Sequence, residues 1–388
     1  MLNFTFHNPT VIYFGKGQVT SLVDELKKRS KKLLIVTGRG SVKENGIFAE
    51  VIEQVEKAGI DYAELAGVQP NPCVSSVYEG IEICRKEKVD LILAVGGGSV
   101  IDASKTIAAG VKYEGDVWDF FTTEKRPDKA LPVGTVLTLA ASGSEMNPNA
   151  VIKNEDTGQK VAISSPALRP VFSILDPVYT FTVPKYHTAA GVADIMAHIF
   201  EYYLSPVPHK EVQDALSEGL LRTCIRFGPV VCEDPHNYEA RANIMWASTL
   251  AMCGVVGRGG MCDWTCHAIE HELSGIYDIS HGVGLAVLLP GFMEVVMEKY
   301  GHEKFIEYAT NVWEMEPTDP GEDAAEAAIA RTRDFFRSIE LPSKLNEINI
   351  TNEHFEKMAR KVIQQRGETG EFEQLTEEEI RKVLYLSL

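Results

Sequence analysis

Glycine-rich turns at the ends of two apolar runs indicate the kind of fold that this chain adopts. Residues 91–95 are apolar and lead into Gly96, Gly97 and Gly98, after which apolar residues recur at helical spacing. Residues 33–36 are also apolar and lead into a glycine-containing turn at 37–41. Strand, glycine turn and helix in succession are typical of a parallel sheet covered by helices. We therefore predict an α/β N-terminal domain, with further strands within 131–139 and 171–175.

The second half of the chain has a different character. Beyond Asp176 and Pro177, runs of β-branched residues become scarce, and helical periodicity continues from Thr188 to the C-terminus. A chain of 388 residues is long enough for two domains, since domains are on the order of 100–200 residues long. We predict an α/β domain at 1–184 and an all-helical domain at 185–388.

Two local predictions concern the helical half. Thr376 and Glu379 have the spacing of a capping box, in which each side chain binds the backbone N–H of the other residue. We therefore expect the chain to finish in a helix that begins there. The polar stretch 317–322 is predicted to be a loop between helices.

Charge and cysteine content restrict the possible partners. The chain has 38 Lys and Arg against 55 Asp and Glu, a formal net charge of −17. This excess repels phosphate backbones and anionic lipids, so we expect neither nucleic acid nor a membrane as a partner. The N-terminus lacks the features of a signal peptide and no apolar run approaches a membrane span, so we expect a cytoplasmic protein. Seven cysteines without paired spacing indicate neither a disulfide framework nor a cysteine zinc site.

The glycine turn at 96–98 is suited to a phosphate group. Because glycine has no side chain, the backbone N–H groups of the turn are unobstructed. They point to the same place as the positive end of the following helix dipole, and this favours binding of the pyrophosphate of a dinucleotide. The alternative is a purely structural turn with Ser99 as the N-cap of the helix. Because the lysine of a P-loop is missing, the pattern does not indicate nucleotide hydrolysis.

The turn after the other apolar run bears on which dinucleotide binds. Many dinucleotide sites place an acidic residue near this position, where it binds the ribose 2′-hydroxyl. This chain has Gly38, Arg39 and Ser41 there. A turn with an arginine and no carboxylate leaves room for a 2′-phosphate, which favours NADP and leaves NAD possible. The alternative is that Arg39 is a solvated turn residue.

Histidines and an aspartate recur at helical spacing in the second half. Asp194 and His198 are four residues apart, as are His267 and His271, and His281 follows a short loop. On a helix this spacing places both side chains of a pair on one face. Imidazoles with a carboxylate are suited to Zn²⁺ or Fe²⁺. The pattern predicts a metal site. For each histidine taken alone, the alternative is a purely structural role. The spacing does not decide which three of the four histidines bind the metal.

Short motifs follow one another in a characteristic order along nearly the whole chain. They occupy residues 6–10, 14–17, 70–72, 96–102, 141–147, 176–177, 194–198 and 267–281. Their order resembles that of the iron-containing (group III) alcohol dehydrogenases, in particular the NAD(P)H-dependent butanol dehydrogenase and aldehyde reductase branch. Where the family often has threonine, this chain has Ser142 and Ser144, which keep the hydroxyl group. Gly38 stands where the strictly NAD-dependent diol branch has an aspartate.

The resemblance implies a Rossmann-like dinucleotide-binding domain and an all-α domain, the fold of the dehydroquinate synthases, with metal and nicotinamide in the cleft between them. It implies that the metal ligands are Asp194, His198, His267 and His281. His271 is then expected beside the metal as a catalytic residue together with His267. The residues predicted to bind the dinucleotide are Gly38, Arg39, Ser41, Asn71, Gly97, Gly98, Ser99, Asp102, Thr138, Ser142, Ser144, Lys160 and Tyr179.

These expectations combine into one hypothesis for the activity. A divalent metal polarises the carbonyl group of a short-chain aldehyde, hydride arrives from NAD(P)H, and His271 or a water chain carries the proton. Trp264, Cys262 and Phe200 are candidates for a small apolar substrate pocket, with ordinary core positions as the alternative. The family also implies a homodimer. The identity of the aldehyde and the choice between iron and zinc stay open.

Two other functions are weighed against this one. A dehydroquinate-synthase-like lyase uses the same fold, dinucleotide and metal, but it requires several Lys and Arg residues around a phosphorylated acid, and only Arg258 is a candidate here. A non-catalytic nucleotide-binding module with a structural metal would favour cysteine ligands in a closed site. The histidine and aspartate pattern argues against that module.

Overall fold

The structure, a computed structural model, divides the chain into two compact units. It describes residues 1–262, 264–316, 322–366 and 375–388. The first unit, called the α/β unit below, comprises His7–Val183 and Pro235–Thr249. The second, called the helical unit, comprises Met1–Phe6, Pro184–Asp234 and Leu250–Leu388. The predicted loop at 317–322 lies, except for its last residue, outside the described residues.

A six-stranded parallel sheet forms the centre of the α/β unit. The strands in chain order are β1 (Val11–Phe14), β2 (Lys32–Gly38), β3 (Asp61–Val68), β4 (Leu91–Gly96), β5 (Val133–Leu137), β6 (Asn149–Asn154), β7 (Gln159–Ser164) and β8 (Phe172–Leu175). The sheet has the order β1-β8-β5-β4-β2-β3, and β6 pairs with β7 in a separate antiparallel hairpin. The four predicted strands are confirmed as β2, β4, β5 and β8.

Helices follow most strands of the α/β unit and dominate the helical unit. The first group is α1 (Leu22–Arg29), α2 (Ser41–Glu44), α3 (Ile47–Ala58), α4 (Val74–Glu87), α5 (Gly98–Val111) and α6 (Asp119–Thr122). The helices after β8 are α7 (Lys185–Tyr203), α8 (Glu211–Glu233), α9 (Tyr238–Met252), α10 (Thr265–Tyr277), α11 (His281–Tyr300), α12 (Glu303–Asn311), α13 (Glu322–Ser338), α14 (Phe355–Arg366) and α15 (Glu377–Leu386). They belong to the helical unit, except for most of α9. The predicted fold class, a Rossmann-like unit with an all-helical one, is confirmed.

The alternation of side chains along β4 gives the sheet a hydrophobic core on each face. Ile92 and Ala94 pack on the side of α4 and α5, whereas Leu93 and Val95 pack on the side of α1 and α3. All four side chains are fully buried. A strand buried on both faces is expected to be apolar throughout, which is why it was visible in the sequence.

The strand order creates a crevice at one edge of this sheet. From β2 the chain continues to β3 on one side, whereas from β4 it continues to β5 on the other side. Adjacent parallel strands whose connections leave in opposite directions form a switch point, and ligands of such sheets bind at the carboxyl ends of the strands there. These ends are Gly38 in β2 and Gly96 in β4.

The division into units differs in two places from the continuous domains predicted at 1–184 and 185–388. The first residues belong to the helical unit, where the backbone N–H of Leu2 donates to the carbonyl of Gly259 over 2.9 Å. Most of α9 belongs to the α/β unit, where the hydroxyl of Thr249 donates to the Glu145 carboxylate over 2.5 Å. Contacts between such distant segments leave no mark in local periodicity.

Two helices of the helical unit bear on the predictions. α11 is long and apolar enough to cross a membrane by length and composition, and 83% of its most apolar window is buried within the structure, as in a core helix. The expectation that no apolar run approaches a membrane span is therefore wrong for α11, which has the length and composition of a span. At α15 the predicted capping box is confirmed, because the Thr376 hydroxyl accepts from the Glu379 N–H over 3.2 Å and the Glu379 carboxylate accepts from the Thr376 N–H over 2.6 Å.

Candidate metal centre and dinucleotide site

Three of the predicted metal ligands converge in the helical unit. One ligand-type atom each from Asp194, His267 and His281 lies within 4.8 Å of the other two. Asp194 belongs to α7, His267 to α10, and His281 is the first residue of α11. The Oδ1 atom of Asp194 and the Nε2 atom of His281 are 3.7 Å apart. Three helices that are separate in sequence thus each direct one donor atom to the same place.

His198 lies beside this group without being part of it. Its Nδ1 atom is 3.3 Å from Oδ1 of Asp194, and its ring centroid is 4.5 Å from that of His267. Burial, together with the neighbouring His267 and His281, holds the pKa of His198 well below the usual range of an imidazole. Its ring is therefore neutral near pH 7, which is the form that binds metals. Its role as the fourth ligand stays a prediction.

His271 lies on α10, one helical turn after His267. Its ring centroid is 5.5 Å from that of His281, and its side chain is half-buried. His271 also forms a second group of ligand-type atoms with Glu270 and His281. The structure therefore places His271 beside the first group, as the resemblance implies, and its catalytic role stays a prediction.

Two glutamates at this centre were missed by sequence analysis. The Oε1 atom of Glu201 is 3.0 Å from Nδ1 of His267, and the carboxylate of Glu270 is hydrogen-bonded to Nδ1 of His281. Both glutamates are buried, with exposed fractions of 4% and 0%. Each follows a histidine by three residues in a helix that is otherwise largely apolar, and this is the signal that would have revealed them.

The donor atoms of the group fit a divalent metal ion. The Nε2 atom of His267 is buried and has no hydrogen-bond partner among the residues that the structure describes. A buried ring nitrogen without a partner is costly unless it binds something. Because Nδ1 of the same ring faces Glu201, Nε2 is left for a metal. Imidazole nitrogens with one carboxylate match the ligand preferences of Zn²⁺ and Fe²⁺.

Of the three residues considered for a substrate pocket, Trp264 is the one whose ring lies beside the histidines of the metal group. The ring centroid of Trp264 is 5.2 Å from that of His267 and 6.0 Å from that of His198. Phe200 is fully buried and packs edge-on against Tyr308, as a core residue does. Cys262 is half-buried, and all seven cysteines of the chain are free thiols.

The glycine turn of the α/β unit is closely packed. A Cβ atom on Gly98 would lie 2.4 Å from the hydroxyl oxygen of Ser142, and one on Gly96 would lie 2.6 Å from a methyl group of Val100. The N-cap of α5 is Gly97, and Ser99 lies one residue inside the helix. The alternative prediction, in which Ser99 is the N-cap of the helix, is therefore wrong. A side chain on Gly96 or Gly98 would collide with its neighbours. Glycine at these positions keeps the backbone N–H groups accessible to a pyrophosphate.

Asp102 and Ser144, both predicted to bind the dinucleotide, contact each other directly. The Ser144 hydroxyl donates to Oδ1 of Asp102 over 2.5 Å, and the backbone N–H of Val151 donates to Oδ2 over 3.0 Å. The fully buried Lys105 donates to the Ser144 hydroxyl over 2.8 Å and to the carbonyl of Asn149 over 2.8 Å. Lys105 was not among the predicted site residues, and its place beside Asp102 as one of two charged residues in α5 was the available signal.

The turn that was predicted to select NADP lies at the carboxyl end of β2. Gly38 is the last residue of the strand and Ser41 is the first residue of α2. Arg39 is exposed, and its guanidinium group donates to the Oε1 atom of Gln69 over 2.8 Å. Thr138 follows β5 at the same edge of the sheet, where its N–H donates to the carbonyl of Gly96 over 3.1 Å.

Three further residues predicted to bind the dinucleotide have other surroundings. Asn71 follows β3 and has a positive φ of 53°. Lys160 is buried on strand β7 of the hairpin. Tyr179 lies in the core against α1 and α3, and its hydroxyl donates to the Glu50 carboxylate over 2.7 Å. Burial and this glutamate raise the pKa of Tyr179.

The features above define a class of protein. A glycine turn at the switch point of a parallel sheet is suited to the pyrophosphate of a dinucleotide, and a buried histidine and aspartate group is suited to a transition metal. A protein with both is suited to metal-dependent oxidation and reduction.

Comparison with known families gives the identification. The iron-containing alcohol dehydrogenase family matches residues 9–177, and the C-terminal region of the Fe-containing alcohol dehydrogenase family matches residues 188–388. The chain therefore belongs to the iron-containing alcohol dehydrogenase family. It is an NAD(P)-dependent alcohol and aldehyde oxidoreductase, which confirms the predicted family and enzyme class.

Individual relatives match over their full length. The chain is 46% identical to NADH-dependent butanol dehydrogenase A of Clostridium acetobutylicum, with 99% of each chain covered. It is 37% identical to the NADPH-dependent aldehyde reductase YqhD of Escherichia coli, again with 99% of each covered. Among solved structures, NADH-dependent butanol dehydrogenase A of Thermotoga maritima superimposes with a TM-score of 0.95 at 39% identity, over 100% of this chain and 99% of that one.

Proposed function

We propose that this enzyme interconverts short-chain aldehydes and primary alcohols, with NADPH as the preferred reductant and a divalent metal held by Asp194, His198, His267 and His281. The observation that carries the proposal is the convergence of ligand atoms from Asp194, His267 and His281 within 4.8 Å. The names of the relatives support the substrate class, since they are butanol dehydrogenases and an aldehyde reductase.

The metal site requires neutral histidines and a fixed carboxylate. The lowered pKa of His198 keeps its ring uncharged, and the helical position of Asp194 one turn earlier brings its carboxylate to the same point. When bound, Fe²⁺ or Zn²⁺ supplies a Lewis acid that polarises the carbonyl oxygen. The half-buried His271 is proposed to carry the proton between the product oxygen and solvent.

The coenzyme requires a place for its pyrophosphate and its adenosine ribose. Gly97, Gly98 and Ser99 offer backbone N–H groups at the start of α5 for the pyrophosphate. When bound, the reduced nicotinamide supplies the hydride. The exposed Arg39 and the hydroxyl of Ser41 are proposed to bind the 2′-phosphate, because residues 37–41 include no carboxylate to repel it. The remaining predicted residues are proposed to position the coenzyme.

The assembly and location of the enzyme are also proposals. We propose a homodimer in which β1 contributes to the interface, because β1 is an edge strand with Val11 and Phe14 exposed by 42% and 37%. Unpaired edge strands with apolar side chains favour association with another strand. We propose a cytoplasmic location, for which the seven cysteines, all of them free thiols, are the support.

The test combines metal analysis with turnover. Purified protein should contain iron or zinc and should oxidise NADPH in the presence of a panel of short-chain aldehydes. His267→Ala should lose both the metal and turnover, whereas His187→Ala, which removes an exposed histidine of the same helical unit, should keep both. Retention of metal and turnover in the folded His267→Ala protein would remove this site from the account.

A further inference from the structure

Two buried carboxylates, those of Glu201 and Glu270, contact the histidines of the metal centre but are not among the predicted metal ligands. Glu201 and Glu270 lie on different helices, α7 and α10, and each faces the Nδ1 atom of a different predicted ligand, His267 and His281. The Nε2 atom of His281 is 3.7 Å from Asp194 on the other side of the ring. Each glutamate therefore lies on the Nδ1 side of its histidine, opposite the Nε2 atom.

The chemistry of imidazole gives this arrangement a consequence. A neutral histidine carries one proton, and a carboxylate that accepts it at Nδ1 leaves Nε2 with a lone pair for the metal. The same hydrogen bond fixes the orientation of the ring and makes the nitrogen ligand more basic. For His267 this matches the buried Nε2 atom that lacks a hydrogen-bond partner among the described residues.

Both carboxylates are themselves held in position. Oε1 of Glu201 also accepts the backbone N–H of His267 over 3.2 Å, so that one oxygen binds two groups of the same residue. Glu270 accepts the hydroxyl of Ser274 one turn along α10. A Cβ atom on Gly284 would lie 2.9 Å from Cγ of Glu270, so the glutamate packs directly against the backbone of α11. Hydrogen bonds to His267 thus orient Glu201, and a hydrogen bond together with packing orients Glu270.

We propose that Glu201 and Glu270 are positioning residues, which set the tautomer and orientation of His267 and His281 and thereby the affinity and geometry of the metal site. The inference rests on the metal site of the proposed function. In this proposal the two glutamates determine which ring nitrogen of each histidine binds the metal, without contacting the metal themselves.

The test measures metal binding directly and does not depend on turnover. Metal is removed from the full-length protein with a chelator, and the dissociation constant and visible spectrum of added Co²⁺ are measured for wild type, Glu201→Gln, Glu201→Ala and Glu270→Gln. Loss of such outer carboxylates typically weakens metal binding by about 10-fold to 100-fold. We expect this loss in all three variants, with the largest effect for Glu201→Ala, and a changed Co²⁺ absorption band because the histidine geometry changes.

A matched control separates this role from general destabilisation. Glu272→Gln removes another buried carboxylate of α10, which pairs with Lys361 over 3.1 Å, and should leave Co²⁺ affinity and spectrum unchanged. If Glu201→Ala does not fold, Glu201→Gln and Glu270→Gln carry the test. Folded variants that bind Co²⁺ within twofold of wild type with an unchanged spectrum would overturn the inference. Failure of the wild-type protein to bind Co²⁺ would instead overturn the metal site itself.

Discussion

At the scale of single residues, Arg39 is the position proposed to select the coenzyme. Its guanidinium group is exposed at the carboxyl end of β2, and Gln69 is its only hydrogen-bond partner among the residues that the structure describes. Arginine binds phosphate oxygens through charge-assisted hydrogen bonds. We expect Arg39→Ala to lower kcat/KM for NADPH by about 10-fold to 100-fold and to leave kcat/KM for NADH nearly unchanged.

Steady-state kinetics with both coenzymes measure this effect. Lys57→Ala removes an exposed lysine of the same unit, which pairs with Glu53, and should change neither value. Equal losses with NADPH and NADH in the Arg39 variant would show that Arg39 does not read the 2′-phosphate.

Lys105 gives a prediction about pH. Burial lowers the pKa of its amine to about 8 from 10.5, against the opposing influence of Asp102 and Glu145. Between these two values the unfolded chain binds more protons than the folded chain, so the free energy of unfolding contributed by this group rises with pH. We expect the melting temperature of wild type relative to Lys105→Met to increase from pH 7.5 to pH 9.5. A difference that stays constant or decreases would contradict the assigned pKa.

At the scale of elements, α7 and α11 pack closely where they carry proposed metal ligands. Gly282 follows the proposed ligand His281, and a Cβ atom there would lie 2.0 Å from the backbone carbonyl oxygen of Ala190. Ala190 lies one turn before Asp194 on α7. Because neither backbone can rotate away, Gly282→Ala should separate the helices, cost about 1–3 kcal/mol of stability and weaken metal binding.

Gly219→Ala is the control, since its new methyl group would meet nothing closer than 4.0 Å in helix α8. Alanine in place of an interior helical glycine should stabilise the chain slightly. Denaturation and metal titration of both variants measure the effects. A Gly282→Ala protein as stable as Gly219→Ala, with unchanged metal affinity, would contradict the role given to this contact.

The elements that could be predicted from sequence are those whose burial is local and periodic. β4 and residues 33–36 of β2 are apolar because both faces of these strands are covered, and the capping box of α15 is set by residues three apart. β3 was missed because it is a partly exposed edge strand that carries polar residues. The hairpin of β6 and β7 was missed for the same reason.

The candidate site was predictable to a similar extent. The i and i+4 spacings exposed the pairs Asp194–His198 and His267–His271, and the glycine turn at 96–98 was evident. The contacts of Glu201 and Glu270 depend on how α7, α10 and α11 pack, and the place of Lys105 depends on the loop before β6. Tertiary packing of this kind is not encoded in local spacing.

At the scale of the whole molecule, the metal should stabilise the folded chain. An ion that binds only the native state raises its stability by about 2.7 kcal/mol at a free concentration of 100 times Kd. Because the entropy of unfolding grows with chain length, removal of the metal should therefore lower the melting temperature of the 388-residue wild-type chain by about 3 °C. His267→Ala should melt at the same temperature with and without chelator, and a chelator effect of equal size in both proteins would mean that the metal binds elsewhere.

The most direct test of the central claim is an anomalous difference map from a crystal of the iron- or zinc-loaded wild-type protein, collected at the absorption edge of the metal. The account predicts one strong peak in the helical unit, about 2.0–2.2 Å from ligand atoms of Asp194, His198, His267 and His281. A peak bound instead by Glu270, His271 and His281, or these four side chains pointing away from one another with no peak between them, would contradict it.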